Sequence, residues 1–271
     1  MTRLRTIVQA CFAAFFAVNA QLAQGHEFWI DPVDPVVDMG ETIEANIRVG
    51  EMMKGSGMIF NPNSFTFFGT VTPETAIKAE GRMGDRPALQ MTAREEGLYI
   101  IGYMTTANRL KYAEFKKFEK FAKAHGQDFA IKEHKARGLP DADFTEAYFR
   151  CAKALVKVGE GAGEDRKLGF PFELTALNNP YTDDAPVKML LTYKGKPQAN
   201  HQVDVFHRTS RSEDATMVSY QTNDVGEVQI PRAPGDFLIN AVVIEEPSAN
   251  VADKLNAVWV SLWASSTYTI E

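Results

Sequence analysis

The chain is poor in cysteine, having two, Cys11 and Cys151, in 271 residues. Cys11 falls in an apolar leader, so only Cys151 would remain after export, and no intramolecular disulfide could form even in an oxidising compartment. A long hydrophobic run is also missing. The most apolar stretch, IVQACFAAFFAV (7–18), is well short of the ~20 residues that span a bilayer. It follows Arg3 and Arg5, and Ala23 and Gly25 supply the small residues that precede a signal-peptidase site. These features predict a cleavable signal over 1–25, export to the periplasm, and a mature chain that begins at His26. An excess of positive charge is absent too. Without Arg3 and Arg5 the chain carries 27 basic against 35 acidic side chains, a net −8. A surface that acidic argues against nucleic acid as a partner.

The catalytic signatures are absent as well. There is no HExxH, CxxC or zinc-finger spacing, no GxSxG elbow, no P-loop and no Rossmann glycine pattern. Cys151 has no candidate base beside it, so no nucleophilic or cofactor chemistry is indicated and the expectation is a protein that is not an enzyme.

What is present is β pattern. TIEANIRV (42–49) alternates with period two, and SFTFFGTV (64–71), ALQMTA (88–93) and GLYIIGYMT (97–105) are short apolar runs separated by turn residues. Between 113 and 138 the period changes. Phe115, Phe118 and Phe121 recur at helical spacing among lysines. After Asp143, read as a helix N-cap, Phe144, Tyr148, Cys151, Ala152, Leu155 and Val156 trace a second helical stripe that would bury Cys151. GEGAGED (159–165) reads as a joint. From Phe170 onward about seven further strands suit an immunoglobulin-like sandwich. The fold class expected is therefore mainly β. Two β-sandwich units, 26–110 and 166–271, flank a helical insertion and linker at 111–165.

His26 is the candidate of most interest. A chain-terminal histidine offers an α-amine and an imidazole, both of which lose their protons around neutral pH, so one residue supplies a two-nitrogen chelate. One further imidazole would suit Cu(II) or Ni(II), which favour nitrogen-rich tetragonal sites. His201 and His207 are the candidates for it. Lying on one strand face about 20 Å apart at ~3.3 Å per residue, they cannot share an ion, so at most one joins His26. His125 and His134 sit among lysines and read as a solvated helix face. Met52, Met53 and Met58 could offer thioethers to Cu(I), although core packing is the commoner use of methionine.

The segments GHEFWIDP, IRVGEMMKGSG, EAYFRCAKALVKVGE, FPFELTALNNPY and YKGKPQANHQVDVF resemble a family of exported bacterial proteins, a domain of unknown function often labelled a nickel-uptake-associated periplasmic protein. The resemblance spans the mature chain. It implies an immunoglobulin-like or transthyretin-like C-terminal half, an accessory role in nickel or cobalt acquisition beside a membrane uptake transporter, and His26 as an exposed terminal ligand. Ni2+ or Co2+ is then the expected ion, with Cu2+ the alternative. Two other readings stand beside it: a metal-free envelope interaction module, and a copper histidine-brace oxidase.

Overall fold

A computed structural model describes residues 26–271; the expected signal lies outside the described residues. The first half of the chain forms β1 (Glu27–Pro32), β2 (Val36–Val37), β3 (Thr42–Glu51), β4 (Lys54–Met58), β5 (Phe65–Val71), β6 (Ala76–Lys78), β7 (Leu89–Thr92), β8 (Gly97–Thr105) and β9 (Asn108–Tyr112). Helices α1 (Phe115–Ala124) and α2 (Asp128–Ala136) follow, then the long strand β10 (Phe144–Val158). The second half comprises β11 (Phe172–Ala176), β12 (Val187–Tyr193), β13 (Lys196–Pro197), β14 (Gln202–Arg208), β15 (Thr216–Gln221), β16 (Glu227–Ile230), β17 (Gly235–Glu245), α3 (Ala249–Leu255) and β18 (Trp259–Ile270).

The protein is mainly β. A ten-stranded sheet is the frame, with strand path β15-β14-β17-β18-β10-β8-β5-β6, and with β2 and β9 also paired to β10. Strands from before and after the Gly159–Gly169 segment meet in this sheet where β10 and β18 run parallel, Cys151 opposite Ala264. Two four-stranded sheets, β1-β3-β4 with β7 and β11-β12-β13 with β16, complete the β structure.

Alternation along the central strands decides what covers each face. On one face, Val203, Val205, Ile239 and Leu262 join Phe172 and Leu191 of the second small sheet in one core. On the other, Ala152, Ala154 and Val156 meet Phe28, Ile30 and Ile47 of the first small sheet. Beside them on that face, Trp259, Trp263 and Val242 pack against Phe118 and Phe121 of α1. Phe118 is fully buried and stacks on Trp259 at 5.7 Å. The helical spacing of Phe115, Phe118 and Phe121 is thus the docking face of α1.

The second helix expected after Asp143 is instead β10. Asp143 lies in the left-handed region at φ 58°, and the next fifteen residues are extended. Strand β10 pairs with β18 on one side and with β8 and β9 on the other. Both of its faces are covered, so apolar residues occupy both, and the period-two signal of a half-buried strand is erased. The residual spacing of Tyr148, Cys151 and Leu155 only mimics a helix. Cys151 is buried, as expected, but within a sheet.

Candidate functional site

The site grows from the start of β1. His26 precedes that strand, and its carbonyl accepts a hydrogen bond from Arg150 Nη2 at 3.1 Å. Arg150 belongs to β10, opposite Trp263 of β18, so its side chain rises on the face that β1 covers. The guanidinium lies over the rings of Tyr148, Phe28 and Trp263, 4.9, 5.5 and 5.7 Å from their centroids. Burial lowers its pKa below the usual arginine value, while Tyr148, Glu146 and Glu27 pull the other way. Such an aromatic cage favours arginine, whose planar cation is weakly hydrated and stacks well.

Glu27 is buried beside this arginine and accepts the Met52 backbone N–H at 3.0 Å. Burial pushes its carboxyl up to about 7; the Met52 bond opposes this, and the nearby charges of Glu51 and Asp204 add to it. A carboxyl with a pKa near 7 is held partly protonated at neutral pH, chiefly by its removal from water.

Trp263 links Arg150 to a second group. Its ring meets the His125 ring edge-on at 5.1 Å and stacks on Phe121 at 5.7 Å. His125 caps the C-terminal end of α1. Its side chain is 12% exposed, and Nδ1 stands 3.6 Å from Asp204 Oδ2, a charge-pair distance too long for a good hydrogen bond. The other oxygen of Asp204 accepts from Ser219 Oγ at 2.6 Å and Gln202 Nε2 at 2.9 Å. Burial works to raise the Asp204 pKa, but His125, Ser219 and Gln202 outweigh it and hold the carboxyl below its ordinary value. Gln202 also donates to the Ala124 carbonyl, which ties the end of α1 to β14.

Asn240 stands opposite both Asp204 and Ser265 in the sheet. It is 1% exposed, and neither its Nδ2 nor its Oδ1 has a hydrogen-bond partner. His125 Nδ1 and Arg150 Nε are unpartnered too. Leaving a buried polar atom without a partner is costly, about 1–3 kcal/mol each, so such atoms invite a water or another polar group.

The other candidates lie elsewhere. His201 packs its ring on Phe172 at 5.5 Å and bonds the Val242 carbonyl through Nε2 at 3.0 Å; burial lowers its pKa. His207 stacks on Phe237 at 4.5 Å, with Nε2 2.9 Å from the Pro234 carbonyl. Both belong to the face occupied by Val203 and Val205, opposite the face that carries Arg150 and Trp263. The structure does not bring either of them to His26. Met53 sits in a small core with Trp29, Phe206 and Leu238, and Met58 packs against the core under β1 and β3, so these thioethers fill space.

His134 and His125 depart from the expected solvated helix face. His134 is fully buried; its Nδ1 accepts from Trp259 Nε1 at 3.0 Å and its Nε2 bonds the Pro140 carbonyl at 3.0 Å, leaving no free nitrogen. His125 is the imidazole that sequence reasoning missed. Asp204 and Trp263 lie 79 and 138 residues away, and the usable hint was local: His125 follows Phe121, whose ring it meets at 5.1 Å, by four residues and precedes the helix-ending Gly126.

Among the described residues, no group of three or more His, Cys, Asp or Glu side chains is arranged to hold a metal ion. A terminal histidine contributes two donors from one residue, so a site of this type requires only one further imidazole.

Fold and site together define a layered β-sheet protein with a buried imidazole–carboxylate pair on the face that its first strand covers. The chain belongs to the family described as "Domain of unknown function (DUF4198)", matched over residues 23–245. No curated protein matches it. Among solved structures, it is similar to the tetra-tandem repeat in the extending region of a large adhesion protein, with 9% identity and a TM-score of 0.22. That match covers 91% of this chain and 49% of the other, and a likeness this weak carries no argument.

Proposed function

We propose that this is an exported protein that binds a transition-metal ion, nickel or cobalt by preference, with His26 as the terminal chelate and His125 as the added imidazole. The ion would be cargo, handed to a membrane uptake transporter, and no bond-making chemistry is assigned to the protein. The observation that carries this reading is the run of contacts from the His26 carbonyl through Arg150 and Trp263 to His125. It fastens the start of β1 to the sheet face that carries the His125 imidazole, whose buried Nδ1 has no hydrogen-bond partner.

The division of labour follows from the neighbours. Arg150 fixes the His26 backbone, which removes the disorder usual at a chain terminus. Asp204 faces His125 Nδ1 at 3.6 Å, the place of a carboxylate behind a metal-bound imidazole. Glu27 and Asp204 would offset the charge of a divalent ion despite the nearby guanidinium. Asn240 is free to turn either its oxygen or its nitrogen toward a ligand's water shell. Nitrogen donors of this number suit Ni(II) and Cu(II) alike, so the preferred ion is set by measurement.

The test is calorimetric titration of protein beginning at His26 with Ni(II), Co(II) and Cu(II), beside a form with one alanine added before His26. The addition moves the amine off the histidine and leaves the folded body alone. Tight binding abolished by the alanine supports the chelate. Equal binding by the two forms, or none by either, refutes it and favours the metal-free interaction module.

A further inference from the structure

On the opposite face of the central sheet, three ionisable side chains are buried together: Lys153 of β10, Asp165 in the segment after it, and Glu173 of β11. Their side chains are 1%, 0% and 2% exposed. Lys153 Nζ donates to the Arg166 carbonyl at 2.9 Å and to Glu173 Oε1 at 3.4 Å. It also stands 2.7 Å from Asp165 Oδ1, yet that oxygen makes no hydrogen bond. The amine is therefore pressed against the carboxyl group off the hydrogen-bond direction. Asp165 cannot swing away, because its Oδ2 accepts the Ala176 N–H at 2.7 Å. Glu173 is held as firmly by the N–H groups of Leu168, Gly169 and Phe170.

We propose that Lys153 and Asp165 become joined by an intramolecular isopeptide bond in the folded protein, with Glu173 carrying the protons. Two carboxylates against one ammonium leave a buried excess charge, and condensation converts an ion pair into a neutral amide, relieving a desolvation penalty that a buried pair otherwise retains. Burial raises the Asp165 pKa, while Lys153 and the Ala176 N–H lower it. Reacting atoms held about 3–3.5 Å apart in a fixed orientation gain most of what positioning can supply.

The atoms balance without a co-reactant. The Lys153 ammonium gives one proton to the Asp165 carboxylate, which frees the amine lone pair and makes the carboxyl carbon electrophilic. The amine attacks Asp165 Cγ, so a C–N bond forms. The Glu173 carboxylate takes a proton from that nitrogen and passes it to the departing hydroxyl, the C–O bond breaks, and one water leaves. Glu173 ends as the carboxylate it began as, and the new amide is neutral.

The experiment is mass spectrometry on the intact protein after full denaturation, followed by tryptic mapping. The wild type is expected to weigh one water less than its sequence, with a single branched peptide containing both Lys153 and Asp165. Lys153→Met and Glu173→Gln are expected at full sequence mass. A denatured wild type at full sequence mass, or a water loss mapped elsewhere, overturns the proposal whether or not either variant folds.

Discussion

His125 Nδ1 faces Asp204 Oδ2 across 3.6 Å at the point where α1 ends against β14, two residues that lie 79 positions apart in the chain. The contact joins a helix packed on the central sheet to a strand within it. Both groups lie on the face that β1 covers, where Ser265 Oγ donates to the Phe28 carbonyl at 2.7 Å.

On the proposed reading, this relationship separates His125 from the other histidines. His125→Ala is expected to abolish tight metal binding, and Asp204→Asn to weaken it about 10–100-fold, the usual cost of removing the carboxylate behind a ligand imidazole. His201→Ala and His207→Ala are expected to bind as the wild type does, since each spends Nε2 on a backbone carbonyl on the other face. Calorimetric titration of the four variants decides. Loss of binding in His201→Ala with retention in His125→Ala would reverse the assignment.

The site also depends on α1 remaining docked. Phe118 has no exposed surface and contacts Tyr112, Phe144 and Trp259. Phe118→Ala is expected to cost about 3–5 kcal/mol by chemical denaturation, the range for an aromatic removed from a core. A loss below 1 kcal/mol would mean that the helix does not seal this part of the sheet.

Glu146 should give stability a specific pH dependence. It lies beneath α1, accepting the hydroxyls of Ser261 and Tyr112, the latter at 2.7 Å. Burial pushes its pKa from 4.5 up to about 7, while Ser261, Tyr112 and Arg150 pull it down. The folded state thus holds a proton that the unfolded state has already lost between those values. Its contribution is full below pH 4.5, falls as pH rises through the window, and levels off above about 7. Thermal melts should show the wild type losing stability relative to Glu146→Gln between about pH 4.5 and 7, with no further relative change above that. Parallel profiles would contradict this.

Cys151 should behave as an inert core thiol. Burial pushes it up to about 12, with the Phe172 backbone opposing and Glu173 adding to the rise. Reaction with a thiol reagent at pH 8 is expected only after unfolding. Stoichiometric labelling of the native protein would show that β10 opens.

Much of the fold was legible in the chain because most strands are half-buried and alternate. Ile43, Ala45 and Ile47 of β3 announce a face, and Phe115, Phe118 and Phe121 announce α1. Strand β10 was not legible, since burial on both faces removes alternation and leaves a run that fits a helix equally well. His26 could be singled out from its place after the expected leader. Its neighbours could not, because Arg150, Trp263, His125 and Asp204 converge only through the pairing of β10 with β18 and the docking of α1. The lysines around His125 suggested a solvated surface, while the helix turned that one residue inward.

The central claim is that His26 and His125 bind the same ion. Electron paramagnetic resonance of the Cu(II) complex counts the nitrogens directly, through their superhyperfine splitting. The account predicts three for the wild type: the His26 amine, the His26 imidazole and the His125 imidazole, with two remaining in His125→Ala. An unchanged nitrogen count in that variant would contradict it.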